Sequence, residues 1–395
     1  MPEKCSSITR RTTRFTRRLL AAVLTLPLSA AGLVAFAAAP ARAATPSGAT
    51  ASVSMGDSYI SGEAGRWKGN SVVTSGSRAS TDRAWTGTAY DPARVYGATY
   101  ASGCDRSDVA EVRSAPVTQT QLNLACSGAV AANVYRAANG GQSFKGEAPQ
   151  ADQLAAVASQ YNVKLITLSI GGNDLGFSDV ITTCVSDYLV WYSYCNDDQQ
   201  AAIDSRMPAA MAGVGKALDE IRAVMSGAGY TAGDYRIVLQ SYPSPIPRSA
   251  EMRYPESGWS RSDTGGCPFW NGDADWARDS LVPQISRALA GVAASKGVQF
   301  LDLGDMLQGR EVCSKATRQA TSTTAPSATT SEWARFVDAG LSSSQGTVQE
   351  SMHPNYYGQQ ALGQCLTLLY ARPSGNYACR NTAGQDASGM YLTAK

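Results

Sequence analysis

A serine and the chain's single histidine are the residues around which chemistry could be built. Ser58 stands in Met55-Gly56-Asp57-Ser58-Tyr59, directly after a short apolar run, where a strand would hand over to a helix. A serine hydroxyl is a poor nucleophile until a neighbouring base takes its proton. The one imidazole in 395 residues is His353, in Ser351-Met352-His353-Pro354-Asn355. Between them in the sequence lie Gly128, in Leu124-Ala125-Cys126-Ser127-Gly128, and Asn173, in Gly171-Gly172-Asn173-Asp174. An unobstructed glycine amide and a carboxamide are donors that can hold an oxyanion. The set describes attack on an ester carbonyl, with Ser58 as nucleophile, His353 as base, and the amides of Ser58 and Gly128 with the Asn173 side chain as oxyanion donors. Taken singly, each motif has a plain structural reading: Gly-Gly-Asn-Asp is often a turn, a lone histidine is usually a surface or core residue, and a glycine at 128 could serve only a tight turn. Together, in order and with the sole histidine among them, they point to catalysis. The G-x-S-x-G signature is absent, which argues against an ordinary α/β-hydrolase nucleophile elbow. One imidazole also predicts one acid limb for activity, near the unperturbed value of about 6.5.

Strands and helices must carry these residues, and the pattern supplies them in alternation. Val53 to Met55 ends a first strand, and a short helix is expected from Tyr59 to Ala64, limited by Gly62 and Gly65. Residues 66–88 read as an irregular surface loop, with Trp67 and Trp85 packed beneath it or lining an apolar cleft. Val117 to Ala125 reads as a second strand, with Cys126-Ser127-Gly128-Ala129 opening a helix, so that the Gly128 amide would sit at a helix N-terminus. Leu154, Ala155, Val157 and Ala158 give helical spacing to residues 148–161, and the apolar strand Val163 to Ile170 delivers Gly171 to Asp174 at its carboxyl end. That is where open parallel sheets place ligands. Tyr188, Trp191, Tyr192 and Tyr194 form an aromatic group between Cys184 and Cys195. A long helix over 200–226, a strand over 236–240 stopped at Tyr242-Pro243-Ser244-Pro245, a helix over 274–296 and a strand over 298–302 follow. Residues 316–330, dense in Thr, Ser and Ala, have too little apolar content to pack and read as a mobile insertion. A helix over 356–370 follows Asn355, and a polar tail, 381–395, follows Cys379. The alternation predicts an α/β chain with a parallel sheet, in one domain over 44–380, since no linker divides it.

The first 43 residues read as an export signal: Arg10, Arg11, Arg14, Arg17 and Arg18, an apolar run from Leu19 to Ala39, and Ala41-Arg42-Ala43 as a cleavage site. They hold seven of the 34 Lys and Arg but one of the 32 Asp and Glu, which leaves 27 basic against 31 acidic residues, about −4. No basic patch argues for nucleic acid, and no second apolar run is long enough to span a bilayer. Eight of the nine cysteines lie beyond the signal: Cys104, Cys126, Cys184, Cys195, Cys267, Cys313, Cys365 and Cys379. An even number in an exported chain predicts four disulfides. Without a CxxC pair or a second histidine, a zinc site is not expected, and the serine chemistry calls for no cofactor.

Gly56-Asp57-Ser58, Gly171-Gly172-Asn173-Asp174 and His353-Pro354-Asn355 together resemble the three blocks of the SGNH or GDSL hydrolases, in particular the secreted actinobacterial lipases and esterases. The resemblance runs over roughly 51–369. It implies a flavodoxin-like, three-layer α/β/α sandwich with a central parallel sheet, a secreted and monomeric ester hydrolase without cofactor, and, together with sequence order, disulfides between nearest-neighbour cysteines. It favours acyl lipids, including phospholipids, as substrates over acetylated polysaccharide or plant-wall aromatic esters; a scaffold retained for binding alone is the non-enzymatic alternative. The chain departs from the family at Glu350, where an aspartate is usual three residues before the histidine. Two arrangements stay open: the Glu350 carboxylate orients His353, giving a triad, or a backbone carbonyl at Glu350 or Ser351 does so, giving a dyad.

Overall fold

A computed structural model describes residues 46–71, 79–190, 193–338 and 346–395. The export signal, Trp191 and Tyr192 lie outside the described residues. Within the unit Ala43–Lys395, the apolar run that ends at Gly56 becomes β1 (Thr50–Gly56), buried along nearly its whole length. It pairs in parallel with β2 (Thr120–Asn123) on one side and β3 (Asn162–Ser169) on the other. The sheet continues through β4 (Arg236–Gln240), β5 (Gln299–Asp302) and β6 (Tyr377–Arg380), all parallel, to β7 (Tyr391–Ala394), which runs antiparallel to β6. Its order is β2-β1-β3-β4-β5-β6-β7.

Parallel strands need crossovers, and the helices Gln150–Gln160, Asn196–Gly227 and Val282–Lys296 provide them. Leu154 and Ala158 of the first, and Val214, Leu218 and Ile221 of the second, bury their apolar faces in one cluster with Val53, Met55, Leu165 and Leu168 of the sheet. The chain passes from β1 outward to β2 and then back across to β3. This reversal opens a crevice at the carboxyl ends of β1 and β3, the place where doubly wound sheets bind ligands. Ser58 and Asn173 both follow strands that end there.

Several expectations are corrected. No helix opens at Cys126. Gly128 takes a positive φ of 84°, a left-handed conformation that breaks a right-handed helix, and residues 126–129 form a turn closed by the Ala129 amide on the Cys126 carbonyl. The strand expected over 117–125 is only four residues long, as befits an edge. The helix expected over 274–296 is three segments, with a π-turn over Ala277–Leu281 ahead of Pro283. Residues 316–330 are tied in through polar groups: the Ala320 amide donates to Asn70, Arg310 to the Thr329 carbonyl and the Trp333 indole to the Ala328 carbonyl. Low apolar content therefore does not leave this segment without partners. The polar tail contains β7, because Tyr391-Leu392-Thr393-Ala394 needs only one buried face to complete an antiparallel edge.

Candidate active site

Ser58 is presented by a strand, a turn and a single helical turn. Gly56 closes β1 with φ 128°, and a Cβ there would lie 1.8 Å from the Ser169 carbonyl oxygen of β3, so only glycine fits. Asp57 caps the helix Ser58–Ser61 by accepting from the Tyr59 amide, and Gly62 ends it in the left-handed region. Ser58 is the first residue of that helix, so its amide has no intrahelical acceptor. Neither it nor the Gly128 amide has a partner among the described residues.

His353 arrives from the far end of the chain. Its segment is stitched to residues 333–335: the Met352 amide donates to the Arg335 carbonyl, the Arg335 amide to the His353 carbonyl and the Asn355 amide to the Trp333 carbonyl, at 2.8–2.9 Å. The Asn355 side chain then caps the helix Tyr356–Tyr370. The imidazole lies against the Tyr59 ring, 4.7 Å between centroids. Its Nε2 is 2.7 Å from Ser58 Oγ, and its Nδ1 is 2.9 Å from the Ser351 carbonyl oxygen. A carbonyl can only accept, so Nδ1 carries the proton and the Nε2 lone pair faces the serine hydroxyl. Burial pushes the imidazole down to about 4, against the opposing effect of the backbone acceptors around it.

Asn173 and Gly128 line the same cleft. The Asn173 side chain donates to the Ala129 carbonyl at 2.9 Å, and Asp174 accepts from the Ala131 amide. Ser58, Gly128, Asn173 and His353 line one cleft. The arrangement brings a serine, a histidine hydrogen-bonded to it, two amides without partners among the described residues and a carboxamide to one cleft, an inventory that fits acyl transfer.

Glu350 is not part of this arrangement. Its carboxylate accepts from the Tyr96 hydroxyl at 2.6 Å and the Thr347 amide at 3.0 Å, and Ser351 supplies the carbonyl that meets His353. Of the two arrangements left open, the contacts match the one with a backbone carbonyl. Trp67 is fully buried with the Arg335 guanidinium 3.6 Å from its ring, so it packs beneath the loop, whereas Trp85 is half-buried against the Tyr90 ring. The four disulfides join Cys104 to Cys126, Cys184 to Cys195, Cys267 to Cys313 and Cys365 to Cys379.

Residues 55–361 match the GDSL-like lipase/acylhydrolase family. The chain belongs to that family. Among curated proteins, Lipase 1 of Streptomyces coelicolor is 27% identical over 291 residues, 72% of this chain and 81% of that protein. Among solved structures, an extracellular lipase from Streptomyces rimosus is 23% identical over 82% of this chain and 100% of its own, with a TM-score of 0.43. A phospholipase A1 from Streptomyces albidoflavus is 22% identical over 82% of this chain and 99% of its own, also with a TM-score of 0.43. As a GDSL-like lipase/acylhydrolase, the protein is a carboxylic ester hydrolase.

Two side chains of this GDSL hydrolase escaped the sequence reading. Tyr242 donates to the Asp57 carboxylate and accepts from the Gly172 amide, linking the serine and asparagine blocks. Burial pushes Asp57 up to about 7 although the Tyr242 bond opposes it. Its signal was position, since Tyr242 follows β4 at the same carboxyl end of the sheet. The second is Glu63, whose Oε2 is 3.7 Å from His353 Nε2. An acid flanked by Gly62 and Gly65 on the turn after the nucleophile was the available clue.

Proposed function

We propose that the protein is an exported serine esterase that cleaves acyl lipids through a Ser58–His353 dyad. The observation that carries this reading is the 2.7 Å contact between Ser58 Oγ and a histidine nitrogen whose lone pair faces it. Ser58 attacks the ester carbonyl as its proton passes to Nε2. The resulting oxyanion takes hydrogen bonds from the Ser58 and Gly128 amides and the Asn173 side chain. The Ser351 carbonyl holds the imidazolium through Nδ1, and Nε2 then protonates the departing alcohol, leaving the acyl group on Ser58. Water releases the acid by the reverse proton route. Asn173 turns from the Ala129 carbonyl toward the substrate at a small cost, since the two acceptors exchange.

Support for a lipid substrate comes from a second cleft, walled by Val180, Pro243, Phe269 and Leu281, which shares Tyr59, Phe177, Ile181 and Tyr242 with the catalytic cleft. An apolar trough opening beside the nucleophile suits a hydrocarbon chain, whose burial contributes about 0.8 kcal/mol per methylene. An acetyl group would leave that trough empty. Lipase 1 of Streptomyces coelicolor, by its name, is consistent with this choice. Export is supported by the four disulfides, which persist in oxidising compartments. The test is product analysis by mass spectrometry over triglyceride, phospholipid, acetylated xylan and feruloyl substrates. Free long-chain fatty acid is the expected main product; release of acetate or ferulate with no fatty acid would refute the lipid assignment.

A further inference from the structure

Glu63 takes no part in the steps above, yet its side chain lines the catalytic cleft with Ser58 and His353. It is 2% exposed. Oε2 accepts from Ser127 Oγ at 2.6 Å and lies 3.7 Å from His353 Nε2. Oε1 is buried without a hydrogen-bond partner among the described residues. The backbone around it is fixed, the Glu63 amide donating to the Ser58 carbonyl and the Glu63 carbonyl lying against the Tyr96 hydroxyl, whose proton the Glu350 carboxylate shares. Oε2, the oxygen that faces His353 Nε2, accepts one hydrogen bond, from Ser127, and keeps a second acceptor position for a partner that arrives later. Burial raises this carboxyl well above the usual range, with the Ser127 bond opposing.

We propose that Glu63 is a catalytic residue of the second half-reaction, its carboxyl holding beside His353 Nε2 the water that cleaves the acyl-enzyme. A water about 2.8 Å from both Nε2 and Oε2 closes a triangle whose third side is the observed separation. During acylation the departing alcohol occupies this place, bonded to Nε2. Once it leaves, water enters. The water oxygen bonds to the acyl carbon as one of its protons passes to Nε2. The oxyanion collapses, the bond from carbon to Ser58 Oγ breaks, and Oγ takes the proton from Nε2. The free acid departs, and Glu63 ends in the protonation state in which it began. The proposal rests on Ser58 forming an acyl-enzyme.

The two half-reactions can be timed apart with p-nitrophenyl butyrate. With enzyme in excess, release of p-nitrophenolate reads acylation; in quench-flow, decay of the butyryl adduct on Ser58, followed by mass, reads deacylation. Glu63→Ala is expected to acylate within about threefold of the parent and to deacylate about 10- to 100-fold more slowly, the range for one lost hydrogen bond to a reacting group. Glu63→Gln, which keeps a donor and an acceptor, is expected to restore deacylation to within about fivefold. Equal slowing of both steps, no slowing of deacylation, or failure of the folded glutamine variant to restore it overturns the proposal. Should Glu63→Ala not fold, Ser127→Ala leaves the carboxyl in place but unanchored and is expected to slow deacylation alone; equal slowing there overturns it too. A parent protein that turns over the ester without any adduct on Ser58 would bring down the serine reading as well, and so is told apart from a failure of Glu63 alone.

Discussion

His353 is held at Nδ1 by a carbonyl and surrounded by packed side chains, and both facts have consequences that can be measured. The base must be neutral to accept the serine proton. Because burial disfavours the imidazolium and lowers the group to about 4, the neutral fraction grows as pH rises through about 4 and is complete near pH 6. The acid limb of kcat/KM should therefore fall about 2.5 pH units below the value near 6.5 of an unperturbed imidazole. A limb at 6.5 in a pH profile would mean that water reaches the ring far better than its packing allows. Glu350 gives a second test. Its carboxylate touches Tyr96 and Thr347, not the imidazole, so Glu350→Gln should lower kcat less than about tenfold while costing about 1–3 kcal/mol in stability from a disturbed buried bond. In a serine-protease triad the comparable change costs about 10⁴ in kcat, and a loss of that size in a folded variant would restore the triad. At this scale the sequence was informative because nucleophilic chemistry needs rare types in a fixed order. It was silent on Glu63 and Tyr242, whose roles arise from where the turn after Ser58 and the end of β4 come to lie.

The elements that position these side chains are strands with the active residues just past their carboxyl ends. Apolar runs make β3 and β4 legible, since a strand buried on both faces reads as continuous hydrophobicity, whereas β1 alternates Ala51, Val53 and Met55 with the buried Ser52 and Ser54. Helical spacing did the same for the segment after Asn355. What could not be read was structure set by local backbone geometry or by partners distant in sequence. The turn at Gly128 replaces an expected helix because of one positive φ. The segment 316–330 is fixed by acceptors and donors at Asn70, Arg310 and Trp333, and β7 exists because β6 offers an edge. Cys365, in the helix Tyr356–Tyr370 that follows the histidine block, is bound to Cys379 of β6. The two cysteines are 14 residues apart, so removing the link with Cys365→Ala and Cys379→Ala should cost about 3 kcal/mol in denaturant unfolding. Esterase activity at low temperature should survive, because Asn355 caps the helix independently. An unchanged unfolding midpoint would show that the strand and helix are held without it.

Across the whole molecule, residues 58, 128, 173 and 353 meet at one reversal of strand order, although nearly three hundred positions separate the first from the last. Fold class and meeting place follow from alternation and from the rule for parallel sheets, which is why both are legible in the sequence. The apolar trough beside the nucleophile was not, because its walls come from the segments around Val180, Pro243, Phe269 and Leu281, which no single pattern unites. The central claim is that Ser58, activated by His353, is the nucleophile. It is tested most directly by treating the protein with an activated alkyl phosphonate ester and locating the adduct by peptide mass spectrometry. The account predicts one phosphonyl group, on Ser58, absent from Ser58→Ala and formed at least about a hundredfold more slowly in His353→Ala. An adduct on another residue, or ester hydrolysis that persists undiminished in Ser58→Ala, would contradict it.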